Sequence, residues 1–182
     1  MFNGFTQSSS ADLVGPKFLR ITDIQGGSVN WGDVPYCEIS DSDLSKYKIK
    51  EHDIFIARTG ASTGKNIYVV NPPEAVFASY LIRVQFDKPS LSCFMGKFIR
   101  REEYFNFISS IKGGSAQPNA NAKQLTSIEI NIPTMDLLDQ FYEIVNPLNR
   151  KIVLNYQENE CLSQLRDSLL PKLMTGKIEL QN

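Results

Sequence analysis

Apolar residues follow two rhythms along this chain, and the change comes at "NIPTMDLL", residues 131–138. Before it, short apolar runs such as "KFLRITDI", "VPYCEI", "DIFIAR", "NIYVVN", "YLIRVQF" and "SIEINIP" are separated by Gly, Pro, Asn, Asp and Ser. They are rich in Ile, Val, Tyr and Phe and alternate partly with period two, which predicts strands. One helix is predicted among them over "LSCFMGKFIRREEYFNFISSI", with Phe94, Phe98, Ile99, Phe105, Ile108 and Ile111 on one face.

After Pro133 the period lengthens. Thr134 is placed to cap a helix, Asp136 suits its first turn, and Leu137, Phe141, Ile144, Leu148 and Ile152 follow at helical spacing. Leu162, Leu165, Leu169 and Leu173 continue this seam after an interruption near Asn155 and Asn159. A continuous helix from Thr134 to Leu170 would reach ~55 Å, longer than a domain of this size covers by itself, so the seam predicts a partner helix, the alternative being a helix that lies on its own domain. Pro147 is expected to kink it and Pro171 to end or restart it. The expected fold class is α+β: a mixed or antiparallel sheet domain over residues 1–133, then a long, coiled-coil-like helical region over 134–182.

Composition narrows the function. At 182 residues, 42% hydrophobic and 21% charged, the chain is ordinary for a globular protein. No apolar run is long enough to span a membrane, and "MFNGFTQSSSADLVGP" lacks the basic start and apolar stretch of a secretion signal, so a cytoplasmic protein is expected. Cys37, Cys93 and Cys161 are too few and too scattered for a disulfide framework or zinc site. His52 is the single histidine, which disfavours histidine metal sites and relays. No clustered Asp/Glu/Lys pattern marks a two-metal nuclease. No metal, cofactor or catalytic residue is assigned.

Two short stretches imitate enzyme motifs. "GASTGKN" has three residues between its glycines where a Walker A loop needs four, and Asn66 where that loop needs a hydroxyl for magnesium. "NPPE", residues 71–74, begins like the amino-methyltransferase tetrapeptide, but Glu74 replaces the aromatic that stacks on a flipped base. A Pro-Pro turn is the simpler expectation.

What remains is two glycine loops rich in uncharged donors and acceptors. One carries Arg58, Thr59, Ser62, Thr63, Lys65 and Asn66; the other carries Ser115, Gln117, Asn119, Asn121 and Lys123. Asn and Gln match the adenine edge, Arg and Lys match guanine, and Ser or a backbone N–H holds phosphate. The net charge of −1 argues against a free-standing DNA binder.

"FLRITDIQGG", "YKIKEHDIFIARTGASTGKN", "GGSAQPNANAKQLTSIEINIPTMDLLDQF" and "LRDSLLPKLMTGKIEL" together resemble the DNA-specificity (S) subunit of Type I restriction-modification enzymes. The likeness runs in order over nearly the whole chain. A full S subunit resembles two such units in tandem, so a half-length subunit or a C-terminal half is implied. The resemblance further implies a non-enzymatic reader of double-stranded DNA, which directs methyltransferase (M) and restriction (R) subunits to the target. It implies that the first glycine loop faces DNA and that the M subunits supply much of the phosphate attraction. It also implies that the helix pairs the chain with a copy of itself or with a second half-subunit. The alternatives are a DNA-modifying enzyme acting through "NPPE" and an adaptor that touches no DNA.

Overall fold

The structure, a computed structural model, describes residues 2–112 and 120–177. Strand β1 (Phe2–Asn3) is followed by β2 (Lys17–Leu19), helix α1 (Asp41–Tyr47), β3 (Ile54–Ala57), β4 (Asn66–Tyr68), β5 (Ala75–Phe77) and β6 (Leu81–Val84). Helices α2 (Pro89–Phe98), α3 (Glu102–Lys112), α4 (Ala122–Leu125) and α5 (Met135–Met174) complete the chain. Four strands form an antiparallel sheet in the order β1-β6-β3-β4, and β2 pairs with β5 in a small parallel sheet.

Strand β3 explains the layering. All four of its residues are buried because both faces of the sheet are covered. Phe55 and Ala57 point into a core with Leu19, Ile24, Val34, Phe77 and Leu81. Ile54 and Ile56 point the other way, against Ile99, Tyr104, Ile108 and Leu125 from the helices. A strand buried on both sides reads as a continuous apolar run, which is what "IFIA" is.

Several expectations change, and among the described residues "VPYCEI" forms no strand of its own, Tyr36 making only isolated bridges with Ser10 and Lys17. The helix predicted over residues 91–111 is two, because α2 stops at Phe98 and α3 begins at Glu102. The buried Asn66 side chain donates to the Ile99 carbonyl at 2.7 Å, satisfying one of the acceptors a helix end leaves open. The break turns Tyr104 into the core and leaves Phe105 39% exposed. "SIEINIP" is not a strand; among the described residues it has no ladder partner, though Ile128 packs against the helix-side core. Finally, α5 runs unbroken for 40 residues with Pro147 and Pro171 inside it. Pro171 lies in the last turn, where its carbonyl accepts from the Thr175 amide at 3.1 Å and hydroxyl at 2.8 Å.

The first part of α5 lies on the sheet domain. Leu138 is fully buried, worth about 1.5–3 kcal/mol for a side chain of its size. Phe141 meets Phe94 edge to face at 6.3 Å. Asn149 is buried and accepts from Lys97 Nζ at 2.6 Å, while Arg150 pairs with Glu51 at 2.7 Å. Residues 161–174 are exposed throughout.

Candidate nucleic-acid interface

The stretch "RTGASTGK" is the loop of the β3–β4 hairpin, closed by the Gly64 amide on the Ala57 carbonyl at 2.9 Å and the Ala57 amide on the Lys65 carbonyl at 2.8 Å. A single 3-10 turn, Gly60–Ser62, shapes its tip. Gly64 sits at φ 91°, a left-handed conformation, and a Cβ there would meet the Ile108 side chain of α3 at 2.8 Å. The loop is thereby seated against the helical layer.

Two further segments converge on this loop. Gln25, exposed in the turn after β2, donates to Ser62 Oγ at 2.9 Å and accepts from Lys65 Nζ at 2.7 Å. From the other side, the Ala120 amide donates to the Arg58 carbonyl at 3.1 Å, bringing the segment that enters α4 alongside. Ser62 and Lys65 therefore share one surface with Gln25, although Gln25 is 37 and 40 residues away from them in sequence. Arg58 Nε is buried without a hydrogen-bond partner among the described residues.

The predicted residues divide in the structure. Thr63 and Asn66 are buried at 3% and 4% exposure, Thr63 donating to the Gly60 carbonyl and Asn66 to the Gly64 and Ile99 carbonyls. They hold the loop's shape, and their side chains do not reach its outer surface. Thr59 flanks the turn and is half-buried. Asn121 is exposed, but its side-chain oxygen accepts from the Gln124 amide at 2.8 Å in a reciprocal cap at the start of α4. Lys123 is exposed on the same helix. Ser115, Gln117 and Asn119 lie outside the described residues. Sequence reasoning passed over Gln25; only the hydrogen bonds across the fold reveal it.

The enzyme-like stretches have structural roles. Asn71 takes a left-handed φ of 49° in the turn leading to β5, and Glu74 is exposed and paired with Lys48 at 3.1 Å. Asp53 is buried, and that burial raises its pKa; the Lys50 amide, the Gln85 amide group and the nearby Arg83 guanidinium work against the rise. It anchors the start of β3. Among the described residues no group of three His, Cys, Asp or Glu side chains is placed to hold a metal, and no helix is long and apolar enough to cross a membrane.

At the opposite end of the same hairpin, α5 is fastened. His52 Nδ1 lies 2.7 Å from the Tyr68 hydroxyl, and its Nε2 lies 3.3 Å from the Tyr142 hydroxyl of α5. Burial holds the His52 pKa below its ordinary 6.5, with Arg150 adding to the drop and Glu51 and Asp53 opposing it. The hairpin thus presents the loop at one end and grips the long helix at the other.

Of the helix seam, Phe141 is half-buried against the domain. Leu137, Ile144, Leu148, Ile152, Leu162, Leu165 and Leu169 are exposed by 36% to 69%.

Comparison with known proteins bears on these observations. Residues 24–164 match the model of the Type I restriction modification DNA specificity domain. The Type I restriction enzyme HindI specificity subunit of Haemophilus influenzae is 28% identical over 159 residues, which is 78% of this chain and 34% of that protein. The MjaIX specificity subunit of Methanocaldococcus jannaschii is 25% identical, over 79% of this chain and 34% of its own length. The EcoKI specificity subunit of Escherichia coli is 22% identical, over 98% and 41%. This chain therefore spans between a third and two fifths of those relatives. In fold it is similar to a chain from a solved structure concerning complex assembly and conformational transition of the type I R-M system. The TM-score is 0.52 at 14% identity, covering 98% of this chain and 49% of that one.

Proposed function

Since the chain belongs to the Type I restriction modification DNA specificity domain family, we propose that it is a DNA-reading half of a Type I restriction-modification assembly. It performs no covalent chemistry, acts in the cytoplasm, and directs M and R subunits to one double-stranded target. The observation that carries this reading is the convergence of Gln25, Ser62 and Lys65 on one loop surface, on the loop that also carries Arg58. Gln25, Arg58 and Ser62, with Gln117, Asn119 and Asn121, include the base readers, whereas Lys65 and Lys123 hold phosphate. Residues 1–133 form the recognition domain, and residues 134–182 the helical spacer.

The exposed seam supports pairing with a second copy. Leu137, Ile144 and Leu148 of one helix face Leu162, Leu165 and Leu169 of another in an antiparallel pair, which removes both stripes from water. The midpoint of Leu137 and Leu169 is residue 153, close to the midpoint of α5 itself, which falls between residues 154 and 155. Polar Asn155 sits near that crossing and helps fix the register. Methylome sequencing of cells carrying this chain with its methyltransferase tests the function. One split, inverted-repeat motif methylated only when the chain is present is the expected result; an unchanged methylome sinks it.

A further inference from the structure

The β3–β4 loop has a neighbour across the sheet. Ala57 closes β3 opposite Leu81, which opens β6, so the antiparallel register places Arg58 directly opposite Tyr80, one step past the ladder. The Arg58 amide donates to the Tyr80 carbonyl at 3.1 Å, and that bond carries the register into the two loops. Side chains of a directly opposed pair stand side by side, with Cβ atoms about 4.5–5.5 Å apart. The β5–β6 turn therefore lies at the same end of the sheet as the loop bearing Ser62 and Lys65, and it holds Tyr80 beside Arg58.

This turn is pinned at three points. The Ala78 amide donates to the Leu19 carbonyl at 2.9 Å, the Ser79 amide to the Phe5 carbonyl at 2.9 Å, and the Leu81 amide to the Ala78 carbonyl at 3.0 Å. Tyr80 stands on that fixed backbone with 54% of its surface exposed. A single exposed aromatic is ordinary on a protein surface. What sets this one apart is its neighbour: Arg58 is half-buried, and its Nε is buried with no hydrogen-bond partner among the described residues. A buried donor without an acceptor is the exception in folded proteins. DNA brings acceptors of two kinds to such a pair, base edges and phosphate oxygens. Guanine O6 and N7 accept both arms of a guanidinium, whereas a phenol has one hydroxyl, makes no two-point contact with a base edge, and belongs with the side chains that hold phosphate.

We propose that Tyr80 is a further DNA contact of the reading surface, its hydroxyl donating to a phosphate oxygen while Arg58 beside it meets a base edge. This rests on the DNA-reading function proposed above. The contact is neutral, so unlike that of Lys65 it releases no counterion from DNA. Its loss weakens the grip on every sequence and leaves base preference and salt dependence as they were.

The test is binding of the full chain, assembled with its methyltransferase, to oligonucleotides carrying the methylated motif and each single-base variant of it, over a series of salt concentrations. Tyr80→Phe keeps the ring and removes only the hydroxyl; it is compared with the parent, with Arg58→Ala and with Lys65→Ala. Expected is about ten-fold weaker binding of Tyr80→Phe to every oligonucleotide, at an unchanged salt slope and an unchanged melting temperature. Arg58→Ala, in contrast, loses selection at one base pair. Tyr80→Phe binding equal to the parent's, a loss confined to one base pair, or a lowered salt slope overturns the phosphate contact and leaves the DNA-reading function standing. A parent complex that binds the motif no better than its variants takes down both.

Discussion

Single side chains separate the work of reading from the work of holding shape. Replacing Gln25 by Ala removes a group that touches both Ser62 and Lys65 but lies outside every core cluster. In the assembled complex the expected effect is a loss of about 1–3 kcal/mol at one base pair of the target, whereas Lys65→Ala weakens all sequences and lowers the salt slope by about one. Binding titrations against single-base target variants distinguish these. Equal weakening at every base from both substitutions would remove the base-reading role. Asn66 resembles its loop neighbours in sequence, and nothing local reveals that its amide is spent on a carbonyl 33 residues away. The same holds for His52, whose partners Tyr68 and Tyr142 are 16 and 90 residues distant. Because its pKa is lowered in the fold, the unfolded chain takes up the proton first as pH falls below 6.5. Stability present above that pH is therefore lost progressively below it. His52→Asn keeps a residue tolerant of the left-handed φ of 70° and removes the titration. Denaturant midpoints at pH 7.5 and 5.5 should fall less for this variant than for the parent; an equal fall would place the acid sensitivity elsewhere.

At the scale of elements, the pattern of the sequence was informative wherever burial was two-sided or strictly periodic. β3 and the long C-terminal helix are both visible in it. It was uninformative where a partner decides the outcome: "SIEINIP" has strand composition, but a strand exists only when another backbone accepts its hydrogen bonds. The break between α2 and α3 likewise falls where the Asn66 amide bonds the Ile99 carbonyl, with no Gly or Pro between the two helices. In α5 the seam was legible, but the adjoining face that docks on the domain was not. Leu138, Tyr142 and Asn149 dock on the domain while Leu148 and Leu162 do not. Leu148→Asp with Leu162→Asp should therefore abolish association at micromolar concentration by light scattering and leave the monomer's melting temperature nearly unchanged. Phe141→Asp, which also loses its contact with Phe94, should lower the melting temperature as well. A double variant that still dimerises would show that another surface joins the copies.

For the whole molecule, the grip of α5 on the hairpin fixes the direction in which the helix leaves the recognition domain. In an antiparallel pair, the separation of two loop surfaces then follows from helix length. Seven residues inserted in the exposed part of the seam keep its face and add ~10.5 Å between the domains. The unspecified spacer in the methylated motif should lengthen by roughly three base pairs, at 3.4 Å of rise each. The two half-sites should stay the same. A motif of unaltered spacing would mean that the loops are positioned by something other than α5.

The stretch from residue 161 to residue 174 is exposed at every position, and 14 residues make a helix that is marginal in water by itself. Its order is therefore borrowed. Amide exchange there should be slow in concentrated protein and accelerate on dilution, while the amides of β3 keep their protection. A rate independent of concentration would show that the helix end is ordered without a neighbour. The last turns of α5 thus act as a built-in gauge of how much of the protein is assembled, readable without any label or any DNA.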